Sequence, residues 1–318
     1  MTTPIKIGIS SCLLGNKVRY DGGHKLDRFL RDIFGAFVEY VPVCPETECG
    51  LGIPREAMRL EGDIEDPRLM TIKSREDITE RMKQWSTRRI IGLKKGDLCG
   101  FIFKSKSPSC GIERVKVFNE KGTHVSKGKG LFAEELINRF PLIPVEDEAG
   151  IHNPGLRENF IERIFTFRRW RDITKGKRTP GKLVKFHTEN KLQFFAHSEK
   201  HYRLMGKIVA GAGKNDIEEV YKTYEETMLE VLKLKATPNK HTNVLMHMMG
   251  YFKKVLTSDE KQELLEKIGE YKDGFIPLIV PVTLIRHYVR KYDEPYLKNQ
   301  TYLNPHPVEL KLRNYEVI

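Results

Sequence analysis

Three cysteines, each just past an apolar run that reads as a buried strand, constrain this chain more than any other feature. Cys12 follows Ile5-Lys-Ile-Gly-Ile-Ser10, and Cys44 follows Phe37-Val-Glu-Tyr-Val-Pro-Val43. Cys110 lies a few residues past Leu98-Cys-Gly-Phe-Ile-Phe103. In an open α/β sheet the carboxyl ends of parallel strands face one shared crevice, where ligands bind. Three thiolates gathered there would hold one soft metal centre and leave a coordination position open. An open position on iron or zinc is where substrate chemistry takes place. Inert packing is the competing reading of the same spacing, which matches neither the paired cysteines of a zinc ribbon nor the close triplet of a radical-type cluster.

Alternating strand and helix patterns predict a doubly wound, mostly parallel α/β domain over residues 1–150. The strand at 5–10 leads through a Gly-rich turn at 16–23 to a helix near 24–35. The strand at 37–43 precedes an irregular stretch from Pro45 to about Leu69. A helix from about Glu76 to Leu93 carries Ile78, Met82, Trp85, Ile90 and Leu93 at helical spacing. Strands follow at 98–103 and 115–118, then a turn at 119–122, a helix near 130–140 and a last strand at 142–145. Residues 151–182 read as a basic helix (155–172) and a linker with strong breakers, Thr174-Lys-Gly-Lys-Arg-Thr-Pro-Gly181. Residues 183–318 read as an all-α domain, with helices at 183–210, 215–235, 240–256, 258–272 and 277–291. Pro281 lies deep enough in the last of these to kink it.

With 318 residues the chain has room for two domains of ordinary size. Its 39% hydrophobic and 31% charged residues describe a soluble globular protein, and no apolar run approaches the roughly 18 residues of a membrane span. The start enters a strand at once, so no signal peptide is expected. Five cysteines, an odd number, argue against a disulfide framework and for a reducing cytoplasm. The net charge is +12 and falls unevenly. Residues 1–150 hold 25 Lys and Arg against 22 Asp and Glu, and the remainder 30 against 21. The excess in the second half suits a polyanionic partner, or a well-solvated lysine-rich surface.

Cys99 sits inside a strand and reads as a small buried hydrophobe, whereas Cys49 is either a fourth ligand or a bystander. Glu46 stands two residues from Cys44, and Ser107 three from Cys110. A metal-bound substrate needs a base or acid and a hydrogen-bonding orienter, which these two supply unless they only cap local turns. Tyr20 and Asp21 either shape the same pocket or stabilise their turn. His197 and His201 are spaced for one helix face, but no Glu follows His197, so the metalloprotease pattern is absent. With His187, His241 and His247 they read as satisfied or RNA-contacting histidines. Arg168, Arg169 and Arg171 flank Trp170, and Lys175, Lys177 and Arg178 follow. This patch would suit phosphate contacts and base stacking.

Four motifs occur in order: Ser11-Cys-Leu-Leu-Gly15; Val18-Arg-Tyr-Asp-Gly-Gly-His-Lys25; Val43-Cys-Pro-Glu46 with Gly50-Leu-Gly-Ile-Pro-Arg55; and Lys106-Ser-Pro-Ser-Cys-Gly111. Over about residues 4–146 they strongly resemble the thiouracil/thiouridine desulfidase family. The resemblance implies a [4Fe–4S] cluster on Cys12, Cys44 and Cys110 with one iron free, Glu46 and Ser107 as catalytic residues, and no ligand role for Cys49. The rest of the chain resembles the YbgA-like helical domain found fused to it, on Phe186-His-Thr-Glu-Asn-Lys191 and Ala196-His-Ser-Glu-Lys-His-Tyr202. Fused members are associated with 4-thiouridine in transfer RNA and single-domain members with the free base. The expected activity is therefore non-redox removal of sulfur from thiolated tRNA. Desulfidation of free thiouracil, or a non-catalytic iron–sulfur protein that binds RNA or senses redox state, are the alternatives. No membrane and no protein partner is expected.

Overall fold

The computed structural model describes residues 4–119 and 122–314, and the expected start (1–3) and the centre of the expected 119–122 turn lie outside the described residues. The run at Ile5 is strand β1 (Ile5–Ser10), paired in parallel with β2 (Val38–Val43) from Ile5 opposite Val38 to Ser10 opposite Val43. Between them the expected helix is reduced to a π-helical turn at Phe29–Ile33 and a 3₁₀ turn at Phe34–Ala36. The Asp27 carboxylate accepts from Leu30 N at 3.0 Å and holds the helical start back to that point.

A one-turn helix α1 (Pro45–Glu48) follows β2, and then β3 (Met58–Glu61), β4 (Arg68–Thr71) and the helix α2 (Thr79–Lys95). Strands β5 (Gly100–Phe103), β6 (Val115–Phe118) and β7 (His124–Gly128) come next, before the helix α3 (Leu131–Arg139), strand β8 (Val145–Asp147) and helix α4 (Glu148–His152). Two four-stranded sheets result. The first, in the order β2-β1-β5-β8, is wholly parallel. Its two central strands, β1 and β5, are buried and rich in Ile and Phe, as parallel strands covered on both faces must be, while the edge strand β2 buries Val43 alone. Gly8 leaves the space that the Phe101 ring fills, since a Cβ there would lie 2.2 Å from Phe101 Cδ2. Phe101, Phe103 and Phe132 pack with Trp85, Met82 and Leu136 into the core beneath α2 and α3.

The second sheet, β4-β3-β6-β7, mixes antiparallel and parallel pairs. Half of it lies in the stretch expected to be irregular. Met58-Arg-Leu-Glu61 alternates too briefly to register as a strand, and Leu60 and Leu69 are its buried anchors. Glu61, buried at the strand end, is paired with both Arg59 and Arg75.

The chain divides into two compact units, Met1–Phe160 and Ile161–Ile318, and the division falls inside helix α5 (Pro154–Thr174). The second unit is helical throughout: α6 (Pro180–His197), α7 (Glu199–Ala210), α8 (Ile217–Lys233), α9 (Pro238–Met249), α10 (Ser258–Lys272), α11 (Ile279–Lys291) and α12 (Pro295–Lys298). The single helix expected at 183–210 is two. Ser198 takes extended backbone (φ −163°, ψ 117°), and its side chain accepts from His201 N, so it ends α6 and caps α7. Nor does Pro281 bend α11. That helix starts at Ile279, and a proline in the first turn removes no intrahelical bond. Among the described residues no helix is long and apolar enough to cross a membrane.

Candidate functional site

Three of the parallel strands of the first sheet, β1, β2 and β5, end in loops that contribute to one pocket of about 350 Å³. Ser11–Leu14 forms a 3₁₀ turn directly after β1 and carries Cys12. Cys44 is the N-cap of α1 after β2. The segment 104–110 after β5 closes on Cys110 through Gly111 N donating to Ser107 O at 2.8 Å. Cys12, Cys44, Glu46, Ser107 and Cys110 all line the pocket, with Arg19, Lys25, Arg55, Lys104 and Ser109 among their neighbours.

The thiols lie near enough to perturb one another. Burial first, and Cys44 second, push the Cys12 thiol up to about 11. Burial pushes the Cys110 thiol up as well, with a hydrogen bond from Ser10 acting against it and Glu46, Cys12 and Cys44 adding to it. Buried thiols of this kind stay protonated in water, and ligation to a cation is what removes their protons. None of the five cysteines is joined in a disulfide. Among the described residues no group of three His, Cys, Asp or Glu side chains is placed to hold one metal ion. An iron–sulfur cube, which takes each thiolate on a different iron, calls for ligands spread further apart, and an all-sulfur set from three loops fits that chemistry.

Glu46 is held from both sides. Arg55 Nε donates to its Oε2 at 3.0 Å and Arg55 Nη2 also donates to Oε2, while Ser109 Oγ donates to Oε1 at 2.8 Å. Arg55 reaches the site because its own N–H donates to Tyr20 O at 2.8 Å and its guanidinium to Val18 O and Gly52 O. These bonds fold the segment after Cys49 back over the loop that follows Cys12. Ser107 Oγ lies 3.0 Å from Ser109 Oγ and accepts from Ser109 N and Cys110 N at 3.3 and 3.2 Å. The loop behind Cys110 is anchored by Glu148, which accepts from Lys104 Nζ, Ser105 N and Ser105 Oγ. Although burial works against it, these bonds hold the Glu148 carboxyl below the usual carboxylate range.

Arg55 and Ser109 stand inside motifs that the sequence shows, but neither was singled out as a functional residue. Their signal was present only as a long-range fact: a charge and a hydroxyl that a carboxylate in the same pocket would need. Cys49 packs at the edge of the first core and directs its thiol to Glu46 O at 3.3 Å. Cys99 is fully buried. Asp21 stabilises its own turn by accepting from Gly23 N at 2.9 Å, while Tyr20 lines the pocket.

The basic patch on α5 is not assembled as the sequence suggested. Trp170 is fully buried, stacked against Tyr224 at 5.1 Å, with its indole N–H given to Glu225, and has no face for a base. Arg168 is buried and paired with Asp172, and Arg169 donates to Pro305 O and Thr166 Oγ1. Helical periodicity turned these residues toward the core of the second unit, where the guanidinium groups find oxygen partners. Arg171 lies over the Phe167 ring, and Arg178 pairs with Glu218. Lys175 and Lys177 are exposed. His197 and His201 do not form a ligand pair: His197 is buried against Leu234 O and Glu162, and His201 contacts Ser198 Oγ. His187 and His241 meet Tyr224 and Tyr302, while His247 is exposed.

A family model described as 2-thiouracil desulfurase matches residues 7–148, and one described as a protein of unknown function, DUF1722, matches residues 191–307. The chain is 34% identical over 162 residues to the uncharacterized protein YbgA of Escherichia coli (strain K12), spanning 51% of this chain and 96% of YbgA. It is 33% identical over 108 residues to the uncharacterized protein YbbK of Bacillus subtilis (strain 168), spanning 32% of this chain and 71% of YbbK. A solved structure of the [4Fe–4S]-dependent thiouracil desulfidase TudS is 28% identical, covering 48% of this chain and 97% of that one, with a TM-score of 0.39.

Proposed function

From a chain that belongs to the 2-thiouracil desulfurase family through residues 7–148 and to the DUF1722 family through residues 191–307, we propose a desulfidase that converts 4-thiouridine in transfer RNA to uridine. The observation that carries this reading is the meeting of Cys12, Cys44 and Cys110 with Glu46 and Ser107 in one pocket. The three cysteines are the ligands for a [4Fe–4S] cluster. When bound, it supplies a Lewis-acidic iron position for the thiocarbonyl sulfur. The net reaction is a hydrolysis, in which water oxygen replaces sulfur on the ring carbon and sulfide departs without change of oxidation state.

The chain's own groups do the rest. The Glu46 carboxylate takes a proton from the attacking water, and Ser107 orients the ring or relays that proton. Arg55 holds Glu46 on the pocket wall, and Glu148 fixes the loop from which Ser107 and Cys110 project. The family match of residues 7–148 supports the desulfidase chemistry. The RNA substrate is supported by the charge of the second unit, where residues 161–318 hold 29 Lys and Arg against 20 Asp and Glu. Lys175 and Lys177 are the members of the α5 patch best exposed for phosphate contacts.

Anaerobic iron and acid-labile sulfide analysis of wild-type and Cys110→Ala protein tests the site. Nucleoside profiling of treated tRNA beside turnover of free 4-thiouracil tests the substrate. The expected outcome is a cluster lost in Cys110→Ala and 4-thiouridine consumed from tRNA. A Cys110→Ala protein with full iron and activity refutes the reading. Rapid turnover of the free base with none on tRNA refutes the RNA substrate.

A further inference from the structure

The geometry points to Ser109 as a positioning residue that aims both Glu46 and Ser107, an inference that rests on the desulfidase reading above. Its hydroxyl lies between the two, 2.8 Å from Glu46 Oε1 and 3.0 Å from Ser107 Oγ. A carboxylate only accepts, so the Ser109 proton goes to Glu46. A hydroxyl has one proton, so Ser109 Oγ can only accept from Ser107. Ser107 Oγ meanwhile takes two backbone N–H groups, from Ser109 and Cys110. Its lone pairs are therefore committed and, until a substrate ring draws it away, its proton is turned to Ser109.

The direction Ser107 to Ser109 to Glu46 is thus imposed by donor counting alone. Ser109 is fully buried, so no water competes for its hydroxyl. Its backbone is closely packed: a Cβ at Gly130 would lie 2.5 Å from Ser109 C. Without this hydroxyl, Glu46 Oε1 loses its donor and the Ser107 proton is free to turn. Nothing in the bonding pattern gives Ser109 a substrate contact of its own. The other partner within reach is Cys110 Sγ, at 3.8 Å.

The test is Ser109→Ala in the full chain, alone and combined with Glu46→Gln. Measurements are kcat and KM, iron and acid-labile sulfide content, and a crystal structure of the cluster-free variant. A lost hydrogen bond to a charged group corresponds to a fall in kcat of about 10- to 100-fold. KM should stay within about twofold and iron content should be unchanged. In the crystal structure the Glu46 carboxylate should turn away from Ser107. In the Glu46→Gln background Ser109→Ala should cost nothing further, because its effect runs through Glu46.

Wild-type kcat in Ser109→Ala overturns the inference, as does an equal loss in the Glu46→Gln background. Loss of iron in Ser109→Ala also overturns it, and reassigns the hydroxyl to Cys110. Full activity of Glu46→Gln itself would instead sink the desulfidase mechanism. An inactive Glu46→Gln beside a fully active Ser109→Ala sinks only the role of Ser109.

Discussion

Replacing Arg55 by Met should destabilise the first unit strongly. The Arg55 and Glu46 side chains are 7% and 16% exposed, so the pair is largely out of water. Removing one partner of such a pair costs about 3–5 kcal/mol, because the remaining charge is left buried and unpaired. The guanidinium also bonds Val18 O and Gly52 O, and each lost bond to a charged donor adds roughly 1.5 kcal/mol or more. Water that enters through the pocket mouth offsets part of this, so about 3 kcal/mol is the expected net loss. For a unit of this size that lowers Tm by roughly 6–12 °C. Trp85 lies in the first unit and Trp170 in the second, and the chain has two tryptophans. Urea unfolding followed by fluorescence in a Trp170→Phe background therefore reports on the first unit alone. Adding Glu46→Gln to Arg55→Met should recover 1 kcal/mol or more (on the order of a buried-pair coupling), since no stranded charge remains. An Arg55→Met protein within about 0.5 kcal/mol of its parent, with no recovery in the double variant, would refute the clamp.

Further outcomes follow from the same geometry. Gly130→Ala drives a methyl group to 2.8 Å from Cys110 N as well as against Ser109, so the variant should load less iron than wild type under the same reconstitution. Cys49→Ser should retain wild-type iron content, because the Cys49 thiol is directed to Glu46 O; iron loss there would make it a ligand. Burial pushes His187 and His306 down to about 4 and His241 to about 3. All three stay neutral in the folded chain while the unfolded chain takes up protons below about 6.5. Stability of the second unit should therefore fall between pH 6.5 and 4, by on the order of 1 kcal/mol per histidine at pH 5.5. A thermal midpoint of the second unit that is flat across that range would contradict the neutral assignment. Trp170→Phe should leave tRNA affinity unchanged, and gel-shift titration showing a large loss would contradict the buried placement.

The parallel sheet and the gathering of Cys12, Cys44 and Cys110 in one pocket were legible because both rest on local signals: apolar runs and the residues that follow them. What escaped was whatever depended on partners far along the chain. Strands β3 and β4 were hidden since four residues with Arg59 and Glu61 between apolar anchors carry little periodicity, and their burial depends on Arg75 and on pairing with β6. The role of Arg55 was hidden for the same reason, as nothing local says that it will meet Glu46. Trp170 misled in the opposite sense. A tryptophan among arginines looks like a nucleic-acid surface in one dimension, yet Glu225 and Tyr224, some 55 residues on, claim it for the interior. Ser198 shows how one capping hydroxyl overrides 28 residues of helical pattern at 183–210.

Because Cys12, Cys44 and Cys110 come from three separate strand ends, whatever they bind in common also acts as a staple across the chain. It would tie together positions separated by 32 and 66 residues, and closing spans of that length before folding removes a sizeable share of the disorder of the unfolded state. Assembly of the inorganic group and consolidation of the sheet edge would then reinforce each other. A chain that loses its iron should accordingly loosen first at the three loops, and only later in the strands that carry them.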